Sequence, residues 1–104
     1  MANQINPDVV FAAIGDPAVS ILDVRTPAEY SKGCIKGSIN IPVDEIAEKI
    51  EGFISDKNRT VYLYCLSGSR SQMATDILAS LGYINAFSMT NGLLMWRFKK
   101  YELV

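Results

Sequence analysis

The sequence contains no histidine. That absence removes the base of Ser-His-Asp and Cys-His nucleophile pairs, and the imidazole ligands of a Cys-His zinc site. Cysteine is nearly as scarce. Cys34 and Cys65 are the only two, with 30 residues between them. This spacing fits neither a metal knuckle nor a Cys-x-x-Cys redox pair. It does not exclude a disulfide, although a chain of this size and apolar content does not need one. Charge of one sign is also missing: 10 Lys and Arg stand against 11 Asp and Glu, a formal net charge of −1. There is no basic excess to displace counterions from a nucleic acid, and no polybasic run to mark a membrane surface. Hydrophobic runs are short. Val9–Ile14, near the N-terminus, follows no basic segment and is too short for a signal-peptide core or a membrane span. The expectation is a cytoplasmic monomer, with no metal, no cofactor, and no nucleic-acid or membrane partner.

What is present is the material of one α/β domain over residues 1–104, 49% hydrophobic and 20% charged. A domain of this size buries on the order of 65% of the surface its unfolded chain exposes, enough to fold without staples. Helical and strand patterns alternate. Asn6-Pro7-Asp8 reads as an N-cap, a first-turn proline and a first-turn acid, opening a helix that Gly15-Asp16-Pro17 ends. Val19–Val24 is a short apolar, β-branched run of the buried-strand type. Thr26-Pro27 starts a brief helix stopped at Gly33, and Ser38–Pro42 reads as a short strand. Asp44–Phe53 carries Ile46, Ile50 and Phe53 at helical spacing. Thr60–Tyr64 is the clearest strand, and it runs straight into Cys65. A helix opens near Arg70 or Ser71 and ends where Gly82 is placed to cap it. Ile84–Ser88 makes another strand, and Thr90-Asn91-Gly92 turns into a last helical stretch. Short apolar strands separated by helices imply a central, mostly parallel sheet of four to five strands with helices on both faces.

Cys65 stands where open α/β sheets place their sites, at the carboxyl end of a buried strand. Ser67, Gly68 and Ser69 follow, small residues that let a loop curl its backbone N–H groups inward as an anion-binding nest. The next helix adds the positive end of its dipole, and Arg70 adds a full charge. Such surroundings favour thiolate over thiol, and the thiolate is the nucleophile, so no histidine is required. The competing reading is a buried strand-end cysteine with no chemistry.

Four stretches carry a resemblance. Cys65-Leu66-Ser67-Gly68-Ser69-Arg70-Ser71 looks like the C-x-x-G-x-R-S active-site pattern of rhodanese-like domains. Asp23-Val24-Arg25-Thr26-Pro27-Ala28-Glu29-Tyr30 resembles their D-V-R-x-x-x-E-Y motif. Gly33–Pro42 resembles G-H-I-x-G-A-I-N-I-P, and Asn91–Trp96 resembles the G-G-x-x-x-W ending. The resemblance implies a rhodanese-like fold and a thiosulfate:acceptor sulfurtransferase in which Cys65 becomes a persulfide. It also implies that Leu66, Ser67, Gly68, Ser69, Arg70 and Ser71 surround a small sulfur-containing anion, the donor. The acceptor would be cyanide or a thiol, on a small molecule or a protein. Two departures stand out: Cys34 replaces the histidine of G-H-I, and Asn91 the first glycine of G-G.

Alternatives differ in specific ways. Cysteine phosphatases and similar enzymes place five residues between cysteine and arginine, whereas four separate Cys65 from Arg70, a tighter cradle. A sulfur-relay or binding module would keep the cysteine and serve only a protein partner. Arg25 and Glu29 are expected to bridge each other and shape the loop after the first long strand. Arg70 can face substrate or lie outward. Trp96, Phe98 and Tyr101 are expected in core or lid packing, and Lys99-Lys100 on a solvated face.

Overall fold

The computed structural model describes residues 3–104. In chain order β1 (Gln4–Ile5), α1 (Pro7–Ala12), β2 (Val19–Asp23), α2 (Pro27–Ser31) and β3 (Ile39–Asn40) form the first half. The second half is α3 (Ile46–Phe53), β4 (Thr60–Tyr64), α4 (Ser69–Ser80), β5 (Ala86–Met89) and α5 (Gly92–Phe98). The strands make one five-stranded sheet in the order β1-β5-β4-β2-β3, and every pairing is parallel.

Alternation along the strands sorts side chains to two faces. Leu22, Val61 and Leu63 join Ile46 and Ile50 of α3 and Ala74 and Leu78 of α4 in one core. Ile21, Tyr62 and Tyr64 face the other way, onto Val10 of α1 and Leu93 and Trp96 of α5. Both faces of the sheet are thus covered by helices, as the alternating pattern implied.

The chain leaves β2 outward to β3, then returns through α3 to place β4 on the other side of β2. The crevice between the carboxyl ends of β2 and β4 is the switch point at which such sheets hold ligands. Cys65 follows β4, the middle strand, at that edge.

Several boundaries differ from expectation. The strand β1 carries no periodic signal at two residues, and it exists because Gln4 and Ile5 pair with Ser88 and Met89. The strand expected over Ile84–Ser88 starts at Ala86 and runs on to Met89, with Ile84 largely exposed. Helix α3 begins at Ile46 rather than Asp44, and β3 is only Ile39–Asn40. Phe98 is 80% exposed and packs in no core, whereas Trp96 is fully buried. Lys99 lies 3.1 Å from the Asp8 carboxylate, an ion pair joining α5 to the first turn of α1 instead of a purely solvated charge.

Candidate active site

The loop after β4 is tied down from two sides. Gly68 has φ 107°, a backbone shape that side-chain-bearing residues rarely adopt, and it caps α4. On the opposite side, Leu93 N–H of α5 donates to the Cys65 carbonyl at 3.0 Å, and Leu94 N–H to the Leu66 carbonyl at 3.1 Å. A trans peptide points its N–H opposite its C=O. Fixing those two carbonyls on α5 therefore turns the N–H groups of Leu66 and Ser67 away from it.

The sulfur sits inside this turn. Cys65 is fully buried, with Gly68 N–H donating to Sγ at 3.1 Å and Ser71 N–H at 3.4 Å. The thiol lies 3.7 Å from Ser71 Oγ, to which it donates. Among the described residues, the N–H groups of Leu66, Ser67, Ser69 and Arg70 make no hydrogen bond to protein. Of the six loop residues singled out by sequence, Gly68 and Ser71 thus touch the sulfur and four hold free donors. The hydroxyls of Ser67 and Ser69 are on exposed residues.

Arg70 leans across the switch point. Its Nη1 and Nη2 donate to Glu29 Oε1 and Oε2 of α2 at 2.7 and 3.1 Å. Glu29 simultaneously completes a capping box with Thr26. The Arg70 guanidinium holds the Glu29 carboxyl at about 2, well below its ordinary 4.5, against the opposing effect of burial. The expected Arg25–Glu29 bridge is absent. Arg25 instead turns inward, its Nη2 2.6 Å from Asp23 Oδ2 and 2.7 Å from the Gly33 carbonyl. The physical reason is burial: Asp23 is fully enclosed, and a carboxylate there needs a cation. Arg25, two residues on and just past the end of β2, supplies it.

The pattern of the rhodanese-like domain matches residues 6–99. The chain belongs to the rhodanese-like family. It is 44% identical over 62 residues to the thiosulfate sulfurtransferase PspE of Escherichia coli, a match covering 60% of each chain. It is 31% identical over 97 residues to a sulfurtransferase of Allochromatium vinosum, covering 92% of this chain and 89% of that one. The crystal structure of a rhodanese-related protein from Thermoplasma volcanium superposes with a TM-score of 0.84 at 33% identity, over 98% of this chain and 97% of that one.

The departures from the rhodanese-like pattern have local explanations. Asn91 has φ 61° and ψ 8°, a left-handed shape that asparagine tolerates better than most residues, so it serves where a glycine is usual. Gly92 cannot be replaced so cheaply, because a Cβ there would stand 2.5 Å from the carbonyl oxygens of Cys65 and Leu66. Cys34 exchanges two backbone hydrogen bonds with Val104, 3.1 and 2.8 Å, and its thiol donates to the Val104 carbonyl. Both cysteines are free thiols with different partners. Ser88 of β5, 2.7 Å from Ser71 Oγ, completes the polar cluster beneath the sulfur. Sequence reasoning missed it, since it reads as one position of a short buried strand.

Among the described residues no group of three or more His, Cys, Asp or Glu could hold a metal ion, and no helix is long and apolar enough to cross a membrane.

Proposed function

We propose that this rhodanese-like protein is a sulfurtransferase carrying a sulfane sulfur as a persulfide on Cys65. One observation carries the reading: Sγ at the end of the central strand receives two backbone N–H groups, inside a loop whose four remaining N–H groups are free. Donors fixed in advance around a sulfur stabilise negative charge without reorganising during reaction. The same donors suit the sulfonate oxygens of thiosulfate and then the terminal sulfur of a persulfide.

The steps balance with the residues at hand. Cys65 loses its proton to solvent, and its thiolate attacks the outer sulfur of thiosulfate. The S–S bond of the donor breaks and sulfite leaves with the electron pair. Cys65 then bears S–S⁻. Cyanide or a thiolate attacks the terminal sulfur, and the Cys65 thiolate departs with the electrons of the second S–S bond. Arg70, fixed by Glu29, adds positive charge at the loop. Cys65 is fully buried, and Leu66, Ser67 and Ser69 of the loop that follows it are exposed.

Thiocyanate formation from thiosulfate and cyanide tests this reading. Wild-type protein turns over and Cys65→Ser does not. Turnover by a folded Cys65→Ser variant refutes it.

A protein thiol as acceptor is favoured by the rim. A groove of about 450 Å³ beside the loop is lined by Ser67, Asn91, Leu94, Met95 and Phe98, without a charged side chain. Leu94 and Phe98 are 56% and 80% exposed there. Leu94→Ser with Phe98→Ser then slows transfer to a protein thiol and leaves transfer to cyanide unchanged. Equal slowing of both would favour small acceptors.

A further inference from the structure

Ser88 is fully buried, and among the described residues its hydroxyl has a single partner, Ser71 Oγ at 2.7 Å. Ser71 Oγ also lies 3.1 Å from the Gly68 carbonyl and 3.7 Å from Cys65 Sγ. Each hydroxyl has one proton to give and two lone pairs to accept with. Among the described residues the Ser88 proton has no acceptor other than Ser71, and a buried donor left unmade is costly, so Ser88 donates and Ser71 accepts. The Ser71 proton is then free for one of two acceptors, the Gly68 carbonyl or the sulfur.

The state of Cys65 decides between them. As a thiol, Cys65 donates to the second lone pair of Ser71 Oγ, and Ser71 donates to Gly68. As an anion, the sulfur offers no proton and draws the Ser71 hydroxyl to itself. The Gly68 carbonyl is not orphaned by that turn, because Gln72 N–H donates to it at 3.0 Å.

We infer that Ser88 is a positioning residue that acts through Ser71, orienting and polarising its hydroxyl toward negative charge on the Cys65 sulfur. The inference rests on the reading that Cys65 carries that charge. It makes the hydroxyl pair a third donor to the sulfur, added to the N–H groups of Gly68 and Ser71. Arg70 of α4 is paired with Glu29 of α2, Asp23 at the end of β2 with Arg25 over the Tyr64 ring, and Asp76 of α4 lines a crevice with Ala86 of β5. Neither β5 nor the turn from Thr90 to Gly92 carries a charged residue, so Ser88 brings a neutral donor.

The test reads the ultraviolet absorbance of the Cys65 thiolate against pH, without any substrate, in a Cys34→Ser background that leaves one thiol. Ser88→Ala moves the midpoint of that absorbance upward by roughly 0.5 to 1 pH unit, the size expected for one lost hydrogen bond. Ser88→Thr, which keeps the hydroxyl, returns it. In a Ser71→Ala background Ser88→Ala adds no further movement, because Ser88 acts only through Ser71. A midpoint unmoved by Ser88→Ala, or moved equally in both backgrounds, overturns the inference. The double-variant comparison decides this even where the extra threonine methyl does not fit. Since no substrate is present, failure here leaves sulfur transfer itself standing.

Discussion

Arg70 and Glu29 join the two loops of the switch point, their side chains meeting through two hydrogen bonds of 2.7 and 3.1 Å although they stand 41 positions apart in the chain. Arg70 belongs to the loop that wraps the Cys65 sulfur, and Glu29 to the capping box that starts α2. The pair therefore fixes the loop to an element already locked by its own cap. Its value is orientation more than stability, because both side chains are about one-third exposed and such pairs contribute less than about 1 kcal/mol.

Glu29→Gln is accordingly expected to leave thermal stability nearly unchanged while lowering sulfur-transfer turnover several-fold. A melting curve and a thiocyanate assay on the same preparation separate these effects. Loss of stability equal to the loss of activity would make the pair merely structural.

The pH dependence of this pair follows from Glu29. Its carboxyl titrates at about 2 in the folded protein instead of 4.5, chiefly because Arg70 donates to it. A depressed carboxyl favours folding fully above its unfolded value and loses that contribution as pH falls through its folded value. The link thus holds from neutral pH down through 4.5 and opens only as pH falls toward about 2. Carbon NMR of the Glu29 side chain is expected to show a midpoint near the lower value. A midpoint near the ordinary one would mean that Arg70 is free.

Gly92→Ala should damage the site more than Gly68→Ala. At Gly92 the added methyl meets two carbonyl oxygens at 2.5 Å, and φ is +53°. Those carbonyls are the ones α5 uses to orient the loop. At Gly68 the nearest neighbour is 3.5 Å away, so only the backbone shape is strained. Denaturant unfolding is expected to show a loss of about 1 kcal/mol for Gly68→Ala and about 2 or more for Gly92→Ala. Reversal of that order would contradict the packing described.

Asp23→Ala leaves the Arg25 guanidinium buried without its carboxylate. Breaking a buried pair by removing one partner costs about 3–5 kcal/mol. Chemical unfolding of this variant is expected to show a loss of that size. Ser67→Ala and Ser69→Ala, whose side chains are exposed and touch no sulfur, change stability by no more than about 0.5 kcal/mol.

Much of this architecture is legible in the chain because its signals are local. Thr60–Tyr64, Cys65, the small residues after it and the helix that follows form one continuous stretch, so strand, loop and cap can be read in order. The family motifs bring in the loop after β2 in the same way. What sequence does not reveal is pairing across space. Asp23, Arg25, Glu29 and Arg70 offer several plausible ion pairs, and burial of Asp23 decides that Arg25 is taken inward, leaving Glu29 for Arg70. Ser88 is hidden for a related reason: a serine in a short apolar strand has no pattern of its own until the sheet sets it beside Ser71. The strand β1 exists only through its pairing with β5.

Intact-protein mass spectrometry after incubation with thiosulfate reads the Cys65 persulfide itself, with Cys65→Ser measured in parallel. The wild-type chain is expected to gain one sulfur atom, which cyanide removes, and the variant to gain none. A wild-type mass unchanged by thiosulfate, or the same gain on Cys65→Ser, would contradict a persulfide on Cys65.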